Sequence, residues 1–131
     1  EEKQANQLTQ ELVNQSQNLG RVSLITGMVP LDASGAKKLR QMAEAMINQN
    51  PSAVVVLGMQ DLDKKKAHLL TAAGKKAQSH CNANELIKAL APLIQGRGGG
   101  KPDLAQAGGS DPKGIPKALD QAKSIVEEKS S

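Results

Sequence analysis

Residues 53–59 read AVVVLGM, a short unbroken apolar run rich in Val. Successive side chains of a strand point to opposite sides of the sheet, so a strand with no polar alternation is one covered on both faces. Upstream, Leu39, Met42, Ala43, Met46 and Ile47 fall at the i, i+3, i+4, i+7, i+8 spacing of one buried helical face. Asp32 or Ser34 is placed to cap the start of that helix, and Asn50 and Pro51 to end it. Before it, Val22, Leu24, Ile25, Met28 and Val29 make a β-prone stretch from Arg21 that Pro30 closes. Strand, amphipathic helix and buried strand together form a βαβ unit, which makes the chain α/β.

Working downstream, the charged turn DLDKKK follows Gln60 and leads to a third predicted strand, residues 67–73, AHLLTAA. Lys64, Lys65 and Lys66 then lie at a solvated hairpin tip. Asn82 opens a further helix with Glu85 in capping-box position, and Leu86, Ile87, Leu90, Leu93 and Ile94 supply its buried face. Pro92 should kink that helix or shorten its last turn. A last helix starts near Asp111 and Pro112 or near Pro116, with Ile115, Leu119, Ala122 and Val126 as its stripe. Residues 105–108 have the short side chains of a tight edge strand. The expected architecture over residues 21–131 is therefore a small sheet of about four strands with helices packed on it.

Residues 1–20 read as a separate helical segment, a linker or a dimerisation helix. Leu8, Leu12 and Leu19 form one narrow stripe, and Gly20 suits a C-terminal stop. So thin a stripe buries little. The helix is expected to pack on other parts of a longer protein or on a second copy of the chain, with a frayed tail as the alternative. The chain begins at Glu1 without Met, as expected of a piece of something longer.

Composition narrows the possible partners. The chain has 131 residues, a formal net charge of +4, and no Phe, Tyr or Trp. The core must be aliphatic, and stacking of unpaired bases on aromatic rings is excluded. A nucleic acid bound here would be read by shape and phosphate, and the positive charge weakly favours such a partner. Cys81 is the only cysteine, which excludes an internal disulfide and a Cys-rich zinc site. A reducing, cytoplasmic location is the simplest expectation. No apolar run approaches the roughly 20 residues needed to span a bilayer, and no membrane partner is expected.

The segment from Gln95 to Gly109, QGRGGGKPDLAQAGG, holds six glycines. That density costs conformational entropy which an ordinary connector need not bear, so something must approach this backbone closely. Successive amides of Gly98, Gly99 and Gly100 could form an anion-binding concavity, with Arg97 and Lys101 as flanking cations. A flexible linker is the other reading, and spacing alone leaves both open. Lys75 and Lys76 with His80, in the loop after the third strand, could extend such a patch or be a solvated turn. Lys101 is followed by Pro102, so the segment is no P-loop. His68 lies in a presumed strand, and His80 and Cys81 are adjacent without further ligands nearby, so structural roles are expected for them and no metal or cofactor site is assigned. Asp103 is read as a carboxylate that bonds loop amides.

The run GGGKPDLAQAGGSDPKGIPKALDQA resembles the end of the alanyl-tRNA synthetase family, as do the VVVLGM strand and the NANELIKALAPLIQG helix. The related DHH-associated domains of small-nucleotide phosphoesterases resemble GGGH followed by Ala-Ala-Gly. Lys101 stands here where their His belongs, and Pro102, Asp103 and Gln106 also favour the synthetase. The resemblance implies a non-catalytic domain that grips the outer corner of tRNA; Arg97 to Lys101, from the glycine run between two cations, and Gln106 are the residues expected to contact the RNA. It would help aminoacylation and editing centres elsewhere in the parent enzyme act on one tRNA. Two rivals remain: a dimerisation module of the same enzyme acting through residues 1–18, and a nucleotide-binding accessory domain of a DHH-type phosphoesterase.

Overall fold

The computed structural model describes residues 9–29 and 35–130. Helical residues 9–14 (α1) turn into β1 (Gln17–Asn18) and then β2 (Ser23–Met28). The helix α2 (Ala36–Gln49) joins β2 to β3 (Ala53–Asp61), which turns back as β4 (Lys66–Ala73). The helix α3 (Ala83–Leu90) runs into a 3-10 turn (Ala91–Ile94), β5 (Gly96–Gly100), β6 (Leu104–Gly109) and α4 (Ile115–Ser130). The six strands form one sheet in the order β1-β2-β3-β4-β6-β5. Only β2 and β3, bridged by the α2 crossover, run parallel; the other pairs are antiparallel.

The unbroken apolar run is explained by two helical layers. Val54 and Val56 of β3 belong to a buried cluster with Leu86, Ile87 and Leu90 of α3 and Ile115, Ala118 and Ala122 of α4. Val55, Leu57 and Met59 belong to the other cluster, with Leu39, Met42, Ala43 and Met46 of α2. Each large side chain so buried contributes roughly 1.5–3 kcal/mol, which is how an aliphatic core suffices. The one buried hydroxyl in the sheet, on Thr71, donates to the Ala83 carbonyl at 2.8 Å and ties β4 to the first residue of α3.

Local chemistry sets the boundaries. Asn82 caps α3 by accepting from the Asn84 and Glu85 amides at 2.8 and 3.3 Å. Glu85 itself ion-pairs with Lys129 of α4 at 3.5 Å. Pro92 ends α3 at Leu90, and Gln95, with φ of 52°, turns the chain into β5. At the β3–β4 tip the Lys64 amide donates to Asp61 Oδ1 at 3.1 Å, and Lys65 takes a φ of 53°. The caps expected at Asp32 and Ser34, and the stop at Pro30, lie outside the described residues; α2 starts from Gly35.

Two expectations change. The sheet has six strands instead of about four, because Gln17–Asn18 adds one edge and the glycine segment adds the other. The N-terminal helix ends at residue 14, not near 18, and its stripe is used inside this chain. Leu12 is buried among Ile25, Val29, Leu39 and the other residues of the α2-side cluster, while Leu19 packs against the opposite cluster. Leu8 lies outside the described residues. A Cβ on Gly27 of β2 would collide with the Leu12 side chain, so the two positions fit as bump and hollow. No helix among the described residues is long and apolar enough to cross a membrane.

Leu12→Ala should lower unfolding stability by about 2–4 kcal/mol in urea denaturation, the range for truncating a buried leucine. A change below about 0.5 kcal/mol, the surface value, would mean that the segment is not seated on the sheet.

Candidate nucleic-acid interface

The glycine segment is a hairpin at the edge of the sheet. β5 pairs with β6 in the register Gly96↔Gly109, Arg97↔Gly108, Gly98↔Ala107, Gly99↔Gln106 and Gly100↔Ala105. A Cβ at Gly96 would strike the Gly108 carbonyl, one at Gly98 the Gln106 carbonyl and Ala107, and one at Gly100 the Leu104 carbonyl and Ala105. The close approach that the composition demanded is therefore made by the neighbouring strand of the same chain. This corrects the expected cradle of three successive amides: in an antiparallel ladder, alternate residues turn their main-chain groups toward the partner and away from it. Lys101 N–H bonds to the Leu104 carbonyl at 2.9 Å, so by alternation Gly98 and Gly100 present theirs on the outer edge. The Gly100 amide donates to Asn84 Oδ1 at 3.1 Å, and Gly98 is exposed.

The turn that follows is pinned from below. The Pro102 carbonyl accepts from the Ala83 amide at 2.9 Å and the Asp103 carbonyl from the Ala73 amide at 3.0 Å. Asp103 was expected to act through its carboxylate; its main-chain oxygen makes this contact, and its side chain is exposed. Arg97 and Lys101 stand exposed at either end of the glycines, and neither forms an ion pair among the described residues. Lys88 of α3 flanks the strand, its Cε 4.0 Å from where a Gly99 Cβ would lie.

On the other face, α2 lies over β3 and β4, and a groove opens between it and the β6–β5 hairpin. Its larger part, about 370 Å³, is lined by Arg40, Glu44 and Ile47 of α2 and by Gly99, Gly100, Lys101, Asp103 and Gln106 of the hairpin. Ile47 and Asp103 also line the adjoining 310 Å³, which reaches Lys75 and Gln78. The fold thus brings Lys75, Lys101, Gln106 and two of the glycines to one groove. Lys76 and His80 lie on the same loop as Lys75, held by bonds from the Lys76 amide to the Pro51 carbonyl and from the His80 amide to the Ala77 carbonyl, but they line neither part. Arg97 and Gly98 lie on the hairpin outside the groove.

The groove residues Arg40 and Glu44, paired at 3.3 Å, were missed by a reading that followed only the apolar face of α2. Their i,i+4 spacing was the available signal. Cys81 is buried under the start of α3. Burial pushes its thiol from the ordinary 9.0 up to about 11, with Lys129 lowering it and Glu85 raising it to smaller extents. A thiol so held is a weak nucleophile at neutral pH. Among the described residues no three His, Cys, Asp or Glu side chains come together as a metal site.

Comparison with known proteins places these features in context. The DHHA1 domain family matches residues 23–128. The alanine–tRNA ligase of Lacticaseibacillus paracasei is 39% identical over 128 residues, covering 97% of this chain and 14% of the ligase. That of Leuconostoc mesenteroides is 40% identical over 129 residues, covering 98% and 14%. The chain therefore spans about one seventh of the length of these curated relatives. Among solved structures, the C-Ala domain of Aquifex aeolicus alanyl-tRNA synthetase superposes with a TM-score of 0.78 and 27% identity, over 86% of this chain and 97% of that one. RecJ of Thermus thermophilus shares the fold alone, with a TM-score of 0.61 and 16% identity over 98% of this chain and 18% of its own.

Gly98→Ala should destabilise the chain by about 1–3 kcal/mol in chemical denaturation, because the new methyl would meet the Gln106 carbonyl and the Cα and Cβ of Ala107, none of which can swing aside. Alkylation of Cys81 at pH 8 should be slow in the folded chain and fast in urea. The sign of its linkage follows: between 9.0 and about 11 the unfolded chain has lost this proton and the folded chain has not, so stability falls as pH rises through that window. Rapid labelling without denaturant would contradict the burial.

Proposed function

The chain belongs to the DHHA1 domain family with the sequence and fold of the C-Ala domain of alanyl-tRNA synthetases, and from that premise we propose that it binds tRNA by its phosphates. The observation that carries this reading is the placement of Arg97 and Lys101. They are exposed cations without an ion pair among the described residues, at the two ends of an edge strand otherwise made of glycine. Four residues of strand put them at most about 13 Å apart, with main-chain groups and no side chains between. A sugar-phosphate backbone can lie against such an edge, its phosphates neutralised at both ends. Lys75 and Lys88 enlarge the positive surface on either side of the hairpin.

Without Phe, Tyr or Trp, affinity must come from charge and shape, which suits the folded outer corner of tRNA better than a single strand. The domain performs no bond chemistry in this reading. It holds one tRNA for the aminoacylation and editing centres of the parent synthetase, its partner within the same cytoplasmic enzyme. Against the dimerisation alternative, Leu12 and Leu19 are packed inside this fold and so are not offered to a second copy.

Titrating the chain with an alanine-acceptor tRNA transcript tests the reading. The logarithm of affinity should fall with the logarithm of salt by roughly 0.7–0.9 per phosphate contacted. Arg97→Ala with Lys101→Ala should lower affinity and remove about that amount of slope per cation, while stability shifts by no more than about 0.5 kcal/mol for each. Salt-independent binding, or a double variant with unchanged slope, would overturn it.

A further inference from the structure

The glycines of the hairpin are not equivalent. Gly96, Gly98 and Gly100 are required by the main chain of β6, and a Cβ at Gly109 would strike the Ile94 carbonyl. Gly99 has ordinary neighbours in Asn84 and Lys88. Gly108 stands apart, because a Cβ built there would meet nothing within 4 Å, and its φ lies outside the range that demands glycine. A glycine inside a strand weakens that strand, since it adds backbone freedom to the unfolded chain and packs nothing. The fold gains nothing from that weakness at Gly108, so the open space above it is left for something outside the chain.

The surroundings of that space indicate what fits. Gly108 is exposed on β6, with His68 of β4 and Arg97 of β5 as its register neighbours and Gln106 two residues along the strand. Leu39 of α2, His68, Gln106 and Gly108 line a depression of about 140 Å³. The volume admits one small planar group and no longer stretch of nucleic acid. Its lining otherwise comes from the aliphatic residues Leu39, Leu69, Leu70 and Ala107. Its polar groups, an exposed amide and a half-buried imidazole, each both donate and accept hydrogen bonds. A phosphate, which offers only acceptors, would be better served by the cationic edge; a heterocycle with donors and acceptors around its rim matches the amide and the imidazole. Gln106 also lines the groove that holds Lys101, so the two depressions meet at this side chain.

Building on the tRNA-binding reading, we propose that the depression over Gly108 seats a nucleobase of the bound tRNA, its face on the β6 main chain and its edge hydrogen-bonded by Gln106 and His68. The domain then reads one base without an aromatic ring, by means of a missing side chain.

Gly108→Val and Gln106→Ala test this with tRNA binding measured across salt concentrations and thermal unfolding measured in parallel. The valine should leave the melting temperature unchanged or raised and weaken tRNA binding at least tenfold. The slope of affinity against salt should stay unchanged, because no phosphate contact is lost. Gln106→Ala should weaken binding several-fold with the same slope. Unaltered affinity in both variants would overturn the proposal. So would a shallower slope, which would put a phosphate over Gly108, or a valine variant that unfolds, which would show that the fold itself requires the glycine. Failure of the unsubstituted chain to bind tRNA would instead sink the reading on which this rests.

Discussion

The approach of β5 to β6 is the contact on which the rest of the molecule's working surface depends. Three positions of β5 lie so near the carbonyls of β6 that no side chain fits between them. Glycine is poorly disposed to strands and is tolerated here only because the ladder and the layer beneath it hold the chain extended. The result is a sheet edge whose only full charges are those that bracket it. Side chains at those positions would force the two strands apart and would also stand between the backbone and any polyanion laid along it.

That edge is useful because it is held still. The turn after β5 is bonded through two carbonyls to the start of α3 and the end of β4, and Asn84 takes the Gly100 amide. Asn82 and Thr71 fix the start of α3 in turn. The cation at Lys101 therefore projects from a frame built by two buried layers, so little ordering of the backbone remains to oppose binding. The opposite face is shaped by how far α2 reaches. Covering β3 and β4, it leaves the hairpin as the floor of a groove whose far wall is its own polar flank, Arg40 and Glu44.

What the sequence could and could not disclose follows from where side chains carry a signal. The βαβ unit was legible because Leu39, Met42, Ala43 and Met46 repeat with helical period and residues 53–59 do not alternate. The caps and breaks at Asn82, Pro92 and Asn50 were legible because each satisfies or blocks a particular main-chain group. β5 was hidden, since a strand is recognised by alternating side chains and this one has a single side chain in five residues. Its glycines announced a close approach correctly; their partner, one strand away, could not be read from spacing. The N-terminal stripe failed for a different reason: Leu12 and Leu19 share a spacing that suits one helical face, yet a chain reversal between them sends each to an opposite side of the sheet. Around the hairpin, Lys101 could be read as a cation beside the glycines and Gln106 through the resemblance. The paired Arg40 and Glu44 had their spacing as a signal, but their place opposite the hairpin, and that of His68 beside Gly108, follow from tertiary packing alone.

A fold does not fix the chemistry it carries, so the side chains on this hairpin, not its topology, must specify what it does. Lys101 stands where the sequence's resemblance to phosphoesterase domains would place His. A histidine changes charge near neutral pH and can donate, accept or move a proton. A lysine ammonium has three donors and no acceptor. Such a group suits holding a phosphate. On the proposed tRNA-binding reading, Lys101 therefore belongs to a hairpin that grips its ligand, and the strands that present it need not change for that.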